Sequence, residues 1–116
     1  MFKLIVAGSR NFNNYDFLKE KLDYLLMNIN DEIEIVSGRA KGADLFGEAY
    51  AKERGYKIAK FPADWTIGKT AGFIRNEDMA KYSNACVVFS VNNSSGSKHM
   101  IKMSEKYNLK LRIYKF

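Results

Sequence analysis

One cysteine, one histidine, one proline and one tryptophan stand among 116 residues, and each scarcity rules something out. A lone Cys86 forms no internal disulfide. Its place in the apolar run of residues 85–89 marks it as a small core residue rather than a nucleophile. With one histidine, His99, and no clustered cysteines or paired carboxylates, there is no plausible transition-metal site, and no cofactor is expected. No apolar run approaches the roughly 20 residues that span a bilayer, so no membrane partner is expected. Residues 1–6 run directly into an apolar stretch without a signal-peptide cleavage pattern, which makes the cytoplasm the expected compartment. There is no internal repeat and no low-complexity segment.

What is present is a single domain of ordinary globular composition with a net charge of +6. Residues 1–58 carry nine basic and nine acidic side chains, so the whole excess lies in the second half. Lys98, Lys102 and Lys106 recur every fourth residue, with Lys110, Arg112 and Lys115 following. That stripe suits a nucleic-acid surface. The ordinary reading is the stronger, because Met100, Met103 and Tyr107 occupy the opposite helix face and leave the lysines as its solvated side.

Apolar runs alternate with helical periods along the chain. Residues 3–7 read as a buried strand, and residues 11–14 supply turn formers and an N-cap. Tyr15, Leu18, Leu22, Leu25, Leu26 and Ile29 keep the 3.6-residue period, closed by Asn30-Asp31. A strand at 33–36, a helix over about 43–54 ended by Gly55, and a strand at 56–61 ended by Pro62 follow. A connector, a helix to Tyr82, a strand at 85–89, a helix ending near Asn108 and a strand from Leu109 complete the chain. This alternation predicts an α/β fold in which a parallel five-stranded sheet is doubly wound, Rossmann-like, in three layers. Continuous apolar runs in the first and fourth strands make them central, and alternation in the third and fifth makes them edges. The expected order is 3-2-1-4-5, with the ligand crevice outside the carboxyl ends between strands one and four.

Three polar, glycine-bearing turns end on that side: Gly8-Ser9-Arg10, Ser37-Gly38-Arg39-Ala40-Lys41-Gly42-Ala43-Asp44, and Asn92-Asn93-Ser94-Ser95-Gly96-Ser97. A helix N-terminus offers free amides and partial positive charge, where phosphates settle. Anions are expected on the amides of residues 37–43 and 95–97, with Arg75 reaching in from its helix. The competing reading of the octapeptide is an ordinary strand-to-helix turn. Arg10, Arg39 and Arg75 supply planar donors suited to phosphate. Trp65, on a loop after the third strand, either stacks on a planar base or lids the core. Asp44 either contacts a ribose hydroxyl or stabilises its helix dipole.

Val6-Ala7-Gly8-Ser9-Arg10, the 37–44 octapeptide, Phe61-Pro62-Ala63-Asp64-Trp65, Ala71-Gly72-Phe73-Ile74-Arg75-Asn76 and the Ser94-Ser95-Gly96-Ser97-Lys98-His99 turn together resemble the SLOG superfamily, in particular its short YspA-related branch. That superfamily includes phosphoribohydrolases of the LOG type, the DNA-processing protein DprA and sensor domains of bacterial defence systems. The resemblance implies a Rossmann-like, commonly dimeric protein that binds nucleotides or nucleotide-derived ligands at these loops. Phe46, Phe73 and Met79 are candidates for a dimer face. The resemblance has a gap. Gly96-Ser97 match the Gly-Thr of the LOG motif and Arg75 matches its arginine, but Met100 stands where the catalytic glutamate would be. Glu77, Asp78 and Asp64 are the substitute carboxylates to consider, although for Glu77 and Asp78 a solvated helix face is the stronger reading.

The expected partner is therefore a nucleotide-derived small molecule, bound by a sensor or sequestering protein. N-glycosidic hydrolysis of nucleotides is the alternative, and DprA-like nucleic-acid binding the third reading.

Overall fold

Ile5, Val6, Ile35, Val36 and Val88 have no exposed surface at all, and the sheet is built outward from the strands that carry them. The computed structural model describes residues 1–116. Its strands are β1 (Phe2–Gly8), β2 (Ile33–Ser37), β3 (Lys57–Lys60), β4 (Ala85–Ser90) and β5 (Lys110–Lys115), and its helices α1 (Tyr15–Leu26), α2 (Ala43–Arg54), α3 (Ala71–Tyr82) and α4 (Ser95–Lys106). All neighbouring strands are parallel, in the order β3-β2-β1-β4-β5, as the sequence predicts.

Alternate residues of the central strands feed two cores. Leu4, Val6, Ile33, Ile35, Val87 and Phe89 face one layer, where Leu18, Leu22 and Leu26 of α1 and Tyr50 and Ala51 of α2 cover them. Ile5, Ala7, Val36, Cys86 and Val88 face the other, under Met79 and Ala80 of α3 and Met100 and Met103 of α4. Burial on both faces explains why β1 and β4 read as unbroken apolar runs. Burial also pushes the Cys86 thiol up to about 12, as a core residue requires.

Local chemistry sets the ends of the elements. The Asn14 side chain accepts from the Phe17 amide at 3.0 Å and starts α1. That helix stops at Leu26, earlier than its periodicity implies, because Met27 and Asn28 find only solvent. Ile29 still reaches the core through a turn whose amide bonds the Leu26 carbonyl at 3.1 Å. Gly55 takes the left-handed conformation after α2, at φ 74°, and the Tyr56 amide is spent on the Ala51 carbonyl at 2.8 Å. The third strand consequently begins at Lys57 rather than Tyr56.

Along α4, Met100 and Met103 are buried while Lys98, Lys102 and Lys106 are exposed, so the lysine stripe is the solvated face. Two of the apolar residues assigned to a dimer face are occupied within the chain. Met79 is a core residue, and the Phe46 ring packs edge-on to Phe12 and Tyr15. Phe73 alone of the three remains exposed.

Helix α2 lies close on β1 because Gly47 faces Val6. A Cβ on Gly47 would sit 2.7 Å from the Val6 Cβ, and neither is free to swing away. Gly47→Ala is expected to cost ~1–3 kcal/mol by overpacking, despite the helix propensity it gains. Urea denaturation of Gly47→Ala, Val6→Ala and the double variant tests this. The double variant should lose less than the sum of the singles, since the two changes share one contact.

Candidate ligand-binding site

The five strands run the same way, so the turns that follow β1, β2 and β4 open at one edge of the sheet. Between β1 and β4 the connections leave in opposite directions, and a cleft of about 530 Å³ lies there. Gly8, Ser9, Arg10, Ala40, Asp44, Trp65, Arg75, Asn76, Ser94, Ser95 and Gly96 line it together. Gly38 and Arg39 line an adjoining pocket instead.

The other four predicted site residues are supports. Ser37 is buried and donates to Glu48 Oε2 at 2.6 Å. Gly42, at φ 80°, lies beneath the Ser9 and Arg10 carbonyls, where any Cβ would collide. Ala43 is fully buried. Ser97 is buried with its Oγ 2.7 Å from Ser94 Oγ. Ser9 joins this hydroxyl chain at 2.9 Å from Ser94 Oγ, and it accepts from the Val91 amide at 2.7 Å. The end of β1 is thereby latched to the turn after β4.

The helices facing the cleft begin without side-chain caps. Gly42, Thr70 and Ser94 precede α2, α3 and α4, and none makes a capping bond, whereas α1 on the far side of the Ser9 turn is capped by Asn14. Ser94 is a residue type that normally caps, yet its hydroxyl is turned to Ser9 and Ser97. The amides of Ser95, Gly96 and Ser97 have no partner within the protein. Helix α2 is different. The Arg39 amide bonds Ser37 Oγ at 3.1 Å, the Ala40 amide bonds Asp44 Oδ2 at 3.3 Å, and the Ala43 amide bonds the Ser9 carbonyl at 3.4 Å. The amides of Arg39, Ala40 and Ala43 are thus spent, so among the helices facing the cleft α4 is the one whose first three amides are all open.

Asp44 and Arg75 meet at Gly38. A Cβ on Gly38 would lie 2.8 Å from Asp44 Oδ2 and 2.9 Å from Arg75 Nη1, so glycine is what leaves the two charged groups room. Arg75 Nη1 donates to the Gly38 carbonyl, and Arg75 Nε donates to Asn76 Oδ1 at 3.0 Å. Asn76 Nδ2 in turn donates to His99 Nδ1 at 3.2 Å, and the His99 ring stacks on Phe73 at 4.3 Å. This relay fixes the guanidinium and leaves Nη2 unbonded. Burial works against the Arg75 charge, and the nearby Asp44 supports it.

Asp44 is 4% exposed, and burial pushes its carboxyl up to about 6 against the pull of the Ala40 amide and Arg75. It is the one carboxylate that lines the cleft. The three substitutes considered from the sequence are engaged elsewhere or lie outside it. Glu77 accepts from Tyr107 at 2.7 Å and pairs with Lys106 at 2.9 Å, and these hold it at about 2. Asp64 starts a helical turn by accepting from the Thr66 amide at 3.1 Å. Asp78 lines a separate shallow pocket.

The structure adds residues that were not assigned to ligand binding from the sequence. Asn11, Lys69, Gly72, Phe73, Met79 and Met100 also line the cleft. Glu48 is buried behind it, bonded to Ser37 and paired with Arg39 Nη1. Glu48 lies four residues after Asp44, one helical turn further along the same buried face. That spacing was the available signal.

A doubly wound parallel sheet with a cation-lined crevice at its switch point defines a Rossmann-like α/β domain. The chain belongs to the YspA, cpYpsA-related SLOG family (YAcAr), whose model matches residues 2–68. Two solved structures share the fold. DNA processing protein A from Helicobacter pylori, described in its single-stranded DNA binding mode, is 18% identical with a TM-score of 0.70, covering 97% of this chain and 64% of that one. DNA processing protein A from Streptococcus pneumoniae is 17% identical with a TM-score of 0.59, covering 96% and 58%. The chain thus spans about three fifths of the length of these neighbours. No curated protein matches the sequence.

The raised Asp44 group has a measurable consequence. Its folded value of about 6 lies above the ordinary 3.8, so its favourable contribution is full below pH 3.8 and is lost as pH rises through 6. A shift of that size corresponds to ~3 kcal/mol. Asp44→Asn is expected to gain on wild type by up to ~3 kcal/mol between pH 4 and pH 7. Urea denaturation at the two pH values checks it, and a constant difference between the proteins would contradict it.

Proposed function

We propose that the protein binds a nucleotide-derived, phosphate-bearing ligand of the ADP-ribose-like class at the carboxyl edge of its sheet, as a sensor or sequestering protein. One observation carries this reading: the uncapped N-terminus of α4 opens its free amides onto a cleft whose wall holds Arg75, fixed by its own hydrogen-bond relay. Free helix amides and an unbonded guanidinium nitrogen together suit a phosphoryl group. Trp65, 56% exposed, and Phe73 stand at the same cleft and offer aromatic faces for a base. The buried Asp44 carboxylate weakens the stability of the free protein at neutral pH, which suits a group kept for a ligand's hydroxyls.

Isothermal calorimetry with ADP-ribose and AMP tests this. Arg75→Ala should lower affinity about ten- to a hundredfold, since a charge-assisted hydrogen bond contributes roughly 1.5–3 kcal/mol. The circular dichroism spectrum should be unchanged. Wild-type binding that is indifferent to Arg75→Ala would overturn the site assignment.

Hydrolysis of the N-glycosidic bond is the alternative, and Asp44 is the carboxylate that favours it, lining the cleft with a value near 6. Met100 occupies the place of the LOG glutamate and is 1% exposed at the cleft floor, so the binding reading leads. Incubation with nucleoside monophosphates is expected to release no free base. Single-stranded DNA binding is favoured by the +6 charge and by the fold shared with a protein described binding such DNA. Its signature is an affinity for oligonucleotides that falls steeply with salt.

A further inference from the structure

Beside the main cleft lies a second cavity of about 540 Å³ that the sequence motifs do not distinguish from it. The two share Arg10, Ala40, Trp65 and Arg75 as a common wall. Arg39 and Lys41 belong to the second cavity alone, and no carboxylate lines it. Arg39 lines it from a left-handed backbone, φ 67°, with its Nη1 paired to Glu48. Arg10 and Lys41 make no ion pair and no side-chain hydrogen bond. A concave surface that gathers unpaired cations without an anion is a seat for one. The main cleft already has its own seat at the amides of α4 and Arg75 Nη2. A ligand with one phosphoryl group therefore fills one compartment and leaves Lys41, with Arg10 on the shared wall, uncompensated.

Resting on the proposed reading of the cleft as a nucleotide site, and narrowing its ligand away from ADP-ribose, whose two phosphoryl groups are joined directly, we infer that the ligand is a dinucleotide-type small molecule with two phosphoryl groups separated by at least one ribose. One phosphoryl group lies on the Ser95–Ser97 side, and the other lies among Arg10, Arg39 and Lys41. The nucleoside between them packs on Trp65, the aromatic side chain common to both cavities. Gly72 lets the indole come close, since a Cβ there would lie 3.3 Å from its Cη2. Each cavity is of small-molecule size, and Lys98, Lys102 and Lys106 line neither. A long strand accordingly finds no cationic track leading out of the pair, and a bounded dinucleotide fits better than a polymer.

Trp65 is the only tryptophan, so quenching of its fluorescence reports binding directly. Titrations with AMP, ADP and the dinucleotide pApA, with (dT)12 as competitor, form the test. ADP adds charge to AMP without adding span. The expected result is pApA at least tenfold tighter than AMP, ADP within threefold of AMP, and a pApA-to-AMP ratio that collapses in Lys41→Glu. Equal affinities for AMP and pApA would overturn the two-compartment inference and leave the mononucleotide reading standing. A gain from ADP equal to that from pApA would overturn it too, by showing that charge suffices. Tighter binding of (dT)12 than of pApA would replace it with a nucleic-acid site. No binding of any probe, checked by calorimetry, would overturn both readings.

Discussion

The arrangement on which the site depends is the placing of Asp44 and Arg75 on either side of Gly38. Both charged groups are drawn out of water, one from the first turn of α2 and one from the second turn of α3, on opposite layers of the sheet. Only a residue without a Cβ leaves room between them, and the Gly38 carbonyl also accepts from Arg75. Burial opposes both charges, and each partly supports the other. The octapeptide after β2 is therefore better understood as a bracket than as a cradle. Its amides bond Ser37 and Asp44, its two glycines admit close neighbours, and its carbonyl at Gly38 steers the arginine.

A parallel sheet makes this arrangement possible, because it sends every strand's following helix off from the same edge. In α1 an asparagine closes the exposed helix start. In α4 the serine that stands ready to do so is diverted into a hydroxyl chain with Ser9 and Ser97. Leaving donors open costs stability that a cap would restore. The cost falls where the cleft is, and the proposed binding accounts for it.

How far this was legible in the sequence follows from the range of each interaction. Strand order came through because apolar continuity and alternation report burial on two faces or one. The serine, glycine and arginine turns were legible because helix termini and tight turns restrict residue type locally. The end of α1 was not, since Ile29 keeps the helical period while reaching the core from a turn. Nor did the motifs show which carboxylate faces the cleft. Glu77, Asp78 and Asp64 look as eligible as Asp44 until Tyr107, Lys106 and Thr66 are seen to engage two of them. Phe73 likewise gains its meaning from His99, 26 residues away, on which it stacks. Such pairings are set by packing between α3 and α4, and no local pattern encodes them.

The central claim is that the amides of α4, rather than those of α2, are the open anion seat. Backbone amide chemical shifts, followed while ADP-ribose is titrated into uniformly labelled protein, test it most directly. The account predicts the largest shifts at Ser95, Gly96 and Ser97, with Ala40 and Ala43 changing far less because their protons are already bonded. Shifts centred on Ala40 to Ala43, or at the opposite edge of the sheet near Phe2, Ile33 and Ala85, would contradict it.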